Sequence, residues 1–313
     1  MFRISLLILL TFAPLPAMSA GAVLVMNSSA ASLSVVDVDR QAETFRIPVL
    51  REPHHWALTP DKRELLVGDT GGNELLVLDP MNFALKRRIP IADPYQLGFS
   101  PDGKLLVVTA LARAQVDIYE AGSYKLLKRF PLKSMPSHLD FTPDSGMVFV
   151  SLQGTDALVA IDLRAMTVAW NLPVGKAPAG VMWHNGNVLV ANMGADDVAL
   201  VDPRTGQVKQ RLHIGRGAHQ IFRAPDGKTL WVNARIDSTV TVLDASTLKP
   251  LRSYKLPGGP DDLVFAPDGH VWFTLRFANK LAVLDPATGT FTTIAVGRSP
   301  HGIFINPKAV AAK

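Results

Sequence analysis

From residue 22 onward the chain alternates dense apolar runs with short polar breaks, and the alternation persists almost to its end. "KLLVVTA" (104–110), "QVDIYEA" (115–121) and "KLLKRFPL" (125–132) are typical, each seven or eight residues long and rich in Val, Leu and Ile. Runs this short, bounded by turn residues, read as β-strands; a helix needs a longer stretch with 3.6-residue periodicity. The first two runs of each group alternate poorly with polar residues, the pattern of strands covered on both faces.

The groups recur. Anchored on the acidic residue that closes each "VxVLD"-like run, they fall at Asp37, Asp79, Glu120, Asp162, Asp202, Asp244 and Asp285, in steps of 40 to 42 residues. A second landmark keeps the same spacing: a proline stands before each opening run at Pro53, Pro94, Pro136, Pro178, Pro260 and Pro300, with Ala218 in the remaining copy. Within a copy, "PDG" at residues 101–103, 225–227 and 267–269 makes a tight turn, Pro presetting φ and Gly accepting a positive one. Four short antiparallel strands per copy, seven times over, predict an all-β fold: a seven-bladed β-propeller over residues 21–313. A solenoid would instead leave open ends needing polar caps. Residues 22–49 hold three strands without an opening one, while "PHGIFINP" (300–307) is an opening strand without followers. The two chain ends are therefore expected to share one blade and close the ring.

Ahead of the repeats lie Arg3, the apolar run "LLILLTFAPL" and the small residues "AMSAGA", the layout of a secretory signal peptide over residues 1–20. Its apolar run is shorter than the roughly 20 residues a spanning helix needs. The expected product is exported, periplasmic or secreted, with no membrane span. The absence of cysteine removes disulfides, thiolate catalysis and cysteine ligands, so metal chemistry would fall to His, Asp, Glu or Met. The net charge of +5 is scattered rather than gathered in a basic block, and nucleic acid is not an expected partner.

"PDGKTLWVNARIDSTVTVLDAST" and "NVLVANMGADDVALVDPRTG" resemble the YVTN-type propeller repeat, "PDGxxLYVAN…VxVIDxxT", and the likeness covers essentially all of the repeats. It implies a seven-bladed propeller, related in architecture to the propellers of nitrous oxide reductase and the cd-type nitrite reductases, but no single function. The segment "PDGHVWFTLRFANKLAVLDPATG" is also similar to streptogramin lyase repeats, which implies a histidine base and a magnesium-binding glutamate. Here Leu275 and Arg276 follow "WFT" and no glutamate lies beyond Glu120, so that metal-binding residue is missing.

In a propeller the residues after each recurring proline gather at the mouth of the central channel. The first position holds His54, Tyr95, Ser137, Ala179, His219, Asp261 and His301, and the second His55, Gln96, His138, Gly180, Gln220, Asp262 and Gly302. Five of the eight histidines fall in these two short columns, a concentration that asks for a cause. Nine residues before the acidic anchors, Arg235 and Arg276 take equivalent places in adjacent copies on the same face.

The predicted site is therefore a cationic, His/Arg-lined axial mouth that binds a small ligand, metal or cofactor through His54, His55, His138, His219, His301, Arg235, Arg276 and Asp262. Neutral imidazoles suit transition metals. The arginines equally suit an anionic cofactor or substrate. A protein-interaction scaffold without chemistry is the alternative, or an enzyme of lyase, lactonase or oxidoreductase type using the axial histidines; no catalytic residue and no particular metal or cofactor is singled out. The plain reading is that these polar residues satisfy backbone groups at strand starts. Because neighbouring strand residues face opposite ways, one of His54 and His55 is expected to face the channel and the other an adjacent blade. His184, His213 and His270 are expected on solvated loops or strand edges, and Trp56, Trp183, Trp231 and Trp272 between blades. No "GxSxG", "HExxH", Walker-type or dinucleotide-binding pattern occurs.

Overall fold

In a computed structural model of the protein, residues 21–311 are described. The expected signal peptide, residues 1–20, lies outside them. The described residues form 28 strands in seven four-stranded antiparallel sheets, with no helix among them. The first blade joins β1 (Ala22–Asn27), β2 (Ser32–Asp37) and β3 (Ala42–Pro48) to the last strand, β28 (Pro300–Asn306), in the order β28-β1-β2-β3. Each of the other six blades is one continuous repeat. Their innermost strands are β4 (Pro53–Leu58), β8 (Gln96–Phe99), β12 (Pro136–Phe141), β16 (Pro178–His184), β20 (Ala218–Arg223) and β24 (Pro260–Phe265). Each innermost strand packs against the next, and β28 against β4, so the ring is closed.

Apolar runs without alternation follow from this arrangement, because the second and third strands of each blade are covered by blades on both sides. Leu66, Leu75 and Val77 of the second blade share one cluster with Leu97, Leu106 and Val108 of the third. The fourth strands form the rim; in β7 (Leu85–Pro90) nearly every residue is exposed. The tryptophans sit between blades. Trp56 stacks edge-on against Phe304, with ring centroids 4.8 Å apart, and its Nε1 donates to the Ile303 carbonyl at 2.8 Å across the closure. Trp183 stacks on Phe149 at 6.1 Å, Trp231 meets Phe265 and Phe273 of the next blade, and Trp272 packs with Val23 and Val25.

On one face of the disc the hairpin after each second strand bonds the chain arriving from the previous blade, as in Thr70 N to Glu52 O (3.0 Å), Arg235 N to Gly217 O (3.0 Å) and Arg276 N to Gly259 O (2.9 Å). Each hairpin also contains a left-handed residue: Ala31, Asn73, Ala114, Asp156, Asp196, Ser238 or Asn279, with φ between 46° and 58°. Five of these side chains accept a backbone N–H from the chain entering the next blade: Asn73 from Asp93 (3.1 Å), Asp156 from Ala177 (2.8 Å), Asp196 from Gly217 (3.2 Å), Ser238 from Gly259 (3.3 Å) and Asn279 from Ser299 (2.9 Å). Asn and Asp tolerate this backbone region best among residues with a Cβ. In five of the seven hairpins one residue thus both makes the turn and staples the neighbouring blade, while Ala31 and Ala114 make the turn alone.

Candidate functional site: an axial histidine cluster

The innermost strands do not run in simple register with their partners. In β4 the pairing steps from Pro53 opposite Asp69 to Trp56 opposite Val67, so His54 and His55 together oppose one residue, Gly68. The same one-residue bulge follows Pro136, Pro178, Ala218, Pro260 and Pro300. A bulge cancels strict alternation and re-aims side chains. The expectation that His54 and His55 point apart is therefore corrected, as both rings join one cluster.

That cluster closes the axis. The His54 ring centroid lies 3.8 Å from that of His301, 4.9 Å from His55 and 4.0 Å from Tyr95. His55 is 4.5 Å from His301 and 5.1 Å from His138, and His138 is 5.1 Å from His219. All five histidines are at most 5 % exposed, so the imidazoles form a packed plug rather than the lining of an open mouth.

Asp261, fully buried, organises one side. Its carboxylate accepts Arg235 Nε and Arg276 Nη1 (3.1 Å) and faces His219 Nδ1 at 3.2 Å. Burial pushes this carboxyl up, but Arg235, His219 and Arg276 outweigh that and hold it below the ordinary range. The guanidiniums keep side-chain exposures of 16 % and 23 %, so they cap the plug towards solvent. Asp262, the carboxylate expected from the sequence, turns away to accept the Leu263 N–H at 2.9 Å. Burial, then the neighbouring Asp261 charge, raise its pKa to about 8, which leaves it protonated at neutral pH. Asp261 and Tyr95 stand in the same column as His54, His219 and His301 but lie outside the predicted site set, and that shared column is the signal in the sequence that points to both.

Desolvation dominates the imidazoles. It holds His54, His138, His219 and His301 well below their ordinary value, helped by neighbouring imidazoles and the two arginines, and brings His55 to about 3. All five are neutral at physiological pH and offer lone pairs. Among the described residues, His54 Nδ1, His55 Nε2, His138 Nε2, His219 Nε2 and both nitrogens of His301 find no hydrogen-bond partner. His301 Nδ1 stands 3.6 Å from Asp261 Oδ2, beyond hydrogen-bond reach. His138 Nδ1 does find a partner, Ser137 Oγ at 2.6 Å. One nitrogen from each of His54, His55 and His301 lies within 4.8 Å of the other two, and a second such set is His219, Asp261 and His301.

The remaining histidines lie off this cluster. His213 is exposed on the rim and His270 is partly exposed after its turn glycine, both as expected. His184 is not solvated: it is buried at the end of β16, its Nδ1 2.8 Å from Arg223 Nη2.

Comparison with known proteins agrees with this architecture. A curated relative, "Protein NirF" from Pseudomonas aeruginosa, is 24 % identical over 209 residues, covering 61 % of this chain and 53 % of NirF, so the chain spans about half the length of that relative. The periplasmic gluconolactonase PpgL of Pseudomonas aeruginosa superposes with a TM-score of 0.73 at 18 % identity, over 91 % of this chain and 98 % of its own. Dihydro-heme d1 dehydrogenase NirN, solved in complex with DHE, superposes with a TM-score of 0.68 at 15 % identity, over 94 % of this chain and 78 % of its own. Fold neighbours of this chain thus include a haem-d1 enzyme and a lactonase, and at these identities the likeness is one of fold. No helix among the described residues is long and apolar enough to cross a membrane. Residues 4–310 match the family described as YNCE-like beta-propeller, and the chain belongs to that family.

Proposed function

We propose that this protein is an exported binding propeller, periplasmic or secreted, whose axial imidazoles hold a transition metal, either as a free ion or as the centre of a small cofactor. One observation carries the reading: five neutral imidazoles converge in a buried space with six ring nitrogens unpartnered. A buried polar atom without a partner costs about 1–3 kcal/mol. A fold that only needed to satisfy strand starts would not accumulate six of them on one axis, whereas neutral imidazole is the commonest protein ligand for transition metals. In this reading Arg235 and Arg276, partly exposed above the plug, pair with anionic groups of a cofactor. NirN, a fold neighbour, lends weight to the cofactor arm through its activity on dihydro-haem d1.

The test is elemental analysis and an absorption spectrum of protein purified without a histidine tag, before and after loading with metal or a haem-type cofactor. The expected result is a stoichiometric ligand that His301→Ala abolishes. A colourless protein that takes up neither defeats the reading.

A second reading, docking of a partner protein, is favoured by Phe277, Ile236 and Leu50, which are 63 %, 61 % and 58 % exposed on the loops of the face that carries the arginines. If Phe277→Ser and Ile236→Ser abolish a stoichiometric complex while neither metal nor cofactor binds, that reading replaces the first.

A further inference from the structure

Resting on the reading that the axial imidazoles hold a metal, we infer that His54, His55 and His301 form an all-imidazole site for a monovalent metal ion with the chemistry of copper(I).

Two donor sets overlap at His301, and their existing bonds separate them. The set containing His219 and Asp261 is already committed, since the Asp261 carboxylate accepts both guanidiniums and faces His219. Moving that carboxylate onto a metal would strip Arg235 and Arg276 of their partner and leave two largely buried cations uncompensated. The set of His54, His55 and His301 gives up no bond: each ring has at least one nitrogen without a partner. Ligand nitrogens about 2.0–2.1 Å from a metal sit roughly 3.5 Å from one another. Starting within 4.8 Å, the three rings reach that spacing by small side-chain rotations.

Charge then selects the ion. The three donors are neutral and add no negative charge. The charged groups beside them are Arg235 and Arg276 against Asp261, and even an ionised Asp262 would bring the total only to zero. No carboxylate is left to neutralise an arriving cation. The cost of burying an ion grows with the square of its charge, so a dication is opposed about four times as strongly as a monocation. Metals that favour imidazole include copper, zinc, iron and nickel. Of these, copper has a stable monovalent state, and a d¹⁰ ion accepts three donors without added water.

The test uses the full chain, untagged and stripped with a chelator. Copper(I) is titrated anaerobically against a chromogenic competitor, zinc(II) is titrated separately, and X-ray absorption is recorded on the loaded protein. The expected result is one copper(I) per chain, bound roughly 100-fold or more tighter than zinc(II), with nitrogen scatterers only. His54→Ala, His55→Ala and His301→Ala should each remove it, and His213→Ala, on the rim, should not. Far-UV circular dichroism of each variant separates lost binding from lost folding, and the wild-type titration stands regardless of the variants. Zinc(II) binding as tight as copper(I), or a carboxylate oxygen in the coordination shell, overturns this inference while the metal-binding reading survives. A haem-type cofactor taken up in place of free copper does the same. If neither metal nor cofactor binds, both fall.

Discussion

Five neutral imidazoles in one core give the protein a particular response to acid. Burial keeps their folded-state values well below the ordinary 6.5, His55 at about 3, whereas in an unfolded chain each takes up a proton as pH falls below about 6.5. Stability is therefore intact above that pH and lost as the pH falls towards the folded-state values, at up to about 1.4 kcal/mol per pH unit for each histidine. Asp262 works in the opposite sense. Its folded-state value of about 8 lies above the unfolded one, so its contribution is lost as pH rises through about 8. The urea midpoint of metal-free protein should peak near neutrality and fall steeply towards pH 5, and His138→Asn should shallow that fall by about one proton. A flat profile from pH 7 to 5 would contradict neutral burial. At this scale the sequence was partly legible. Column counting found all five histidines, but not that His54 and His55 share a direction, because a bulge leaves no mark in a single strand's pattern.

Each hairpin depends on one left-handed residue, and in five of the seven that residue also staples the next blade. Replacing Asp156 by Ala keeps the strained φ of 58° without the side chain that tolerates it, and removes the acceptor of the Ala177 N–H. The expected loss is about 1–2 kcal/mol, read from urea unfolding, while Asp156→Asn, which keeps both properties, should cost under about 0.5 kcal/mol. Equal losses for the two variants would show that the staple carries no weight. This column stands six residues before each acidic anchor, but its mixed composition of Ala, Asn, Asp and Ser hides it from a search for identical residues. The strands were easier to read because burial on two faces demands continuous apolar runs, as in β5 (Leu65–Asp69).

The ring is closed by β28, which pairs with β1 while Trp56 holds the Ile303 carbonyl across the seam. Ending the chain at Ser299 removes the buried Ile303 and Phe304, exposes the edge of β1 and uncovers the sides of β24 and β4 that pack on β28. The whole ring, not one blade, should then lose stability, seen as a fall of roughly 10 °C or more in the thermal midpoint. A peptide of residues 300–307 added in trans should restore part of it. Melting confined to the first blade, with the other six unchanged, would argue against a cooperative ring.

By itself the sequence determined the blade number, the four strands of a blade to within about a residue at each end, the closure by the two chain ends and the columns that reach the axis. Each of these follows from local rules, namely apolar runs, turn chemistry and a fixed repeat length, written seven times over. Only the tertiary structure decided how the axial side chains meet: both His54 and His55 inward, Asp261 rather than Asp262 under the arginines, and a packed plug instead of an open mouth. Those outcomes depend on bulges and on packing between residues from different repeats, up to some 250 positions apart, as His54 and His301 are. The spacing brings these residues to the axis but does not encode which of them meet.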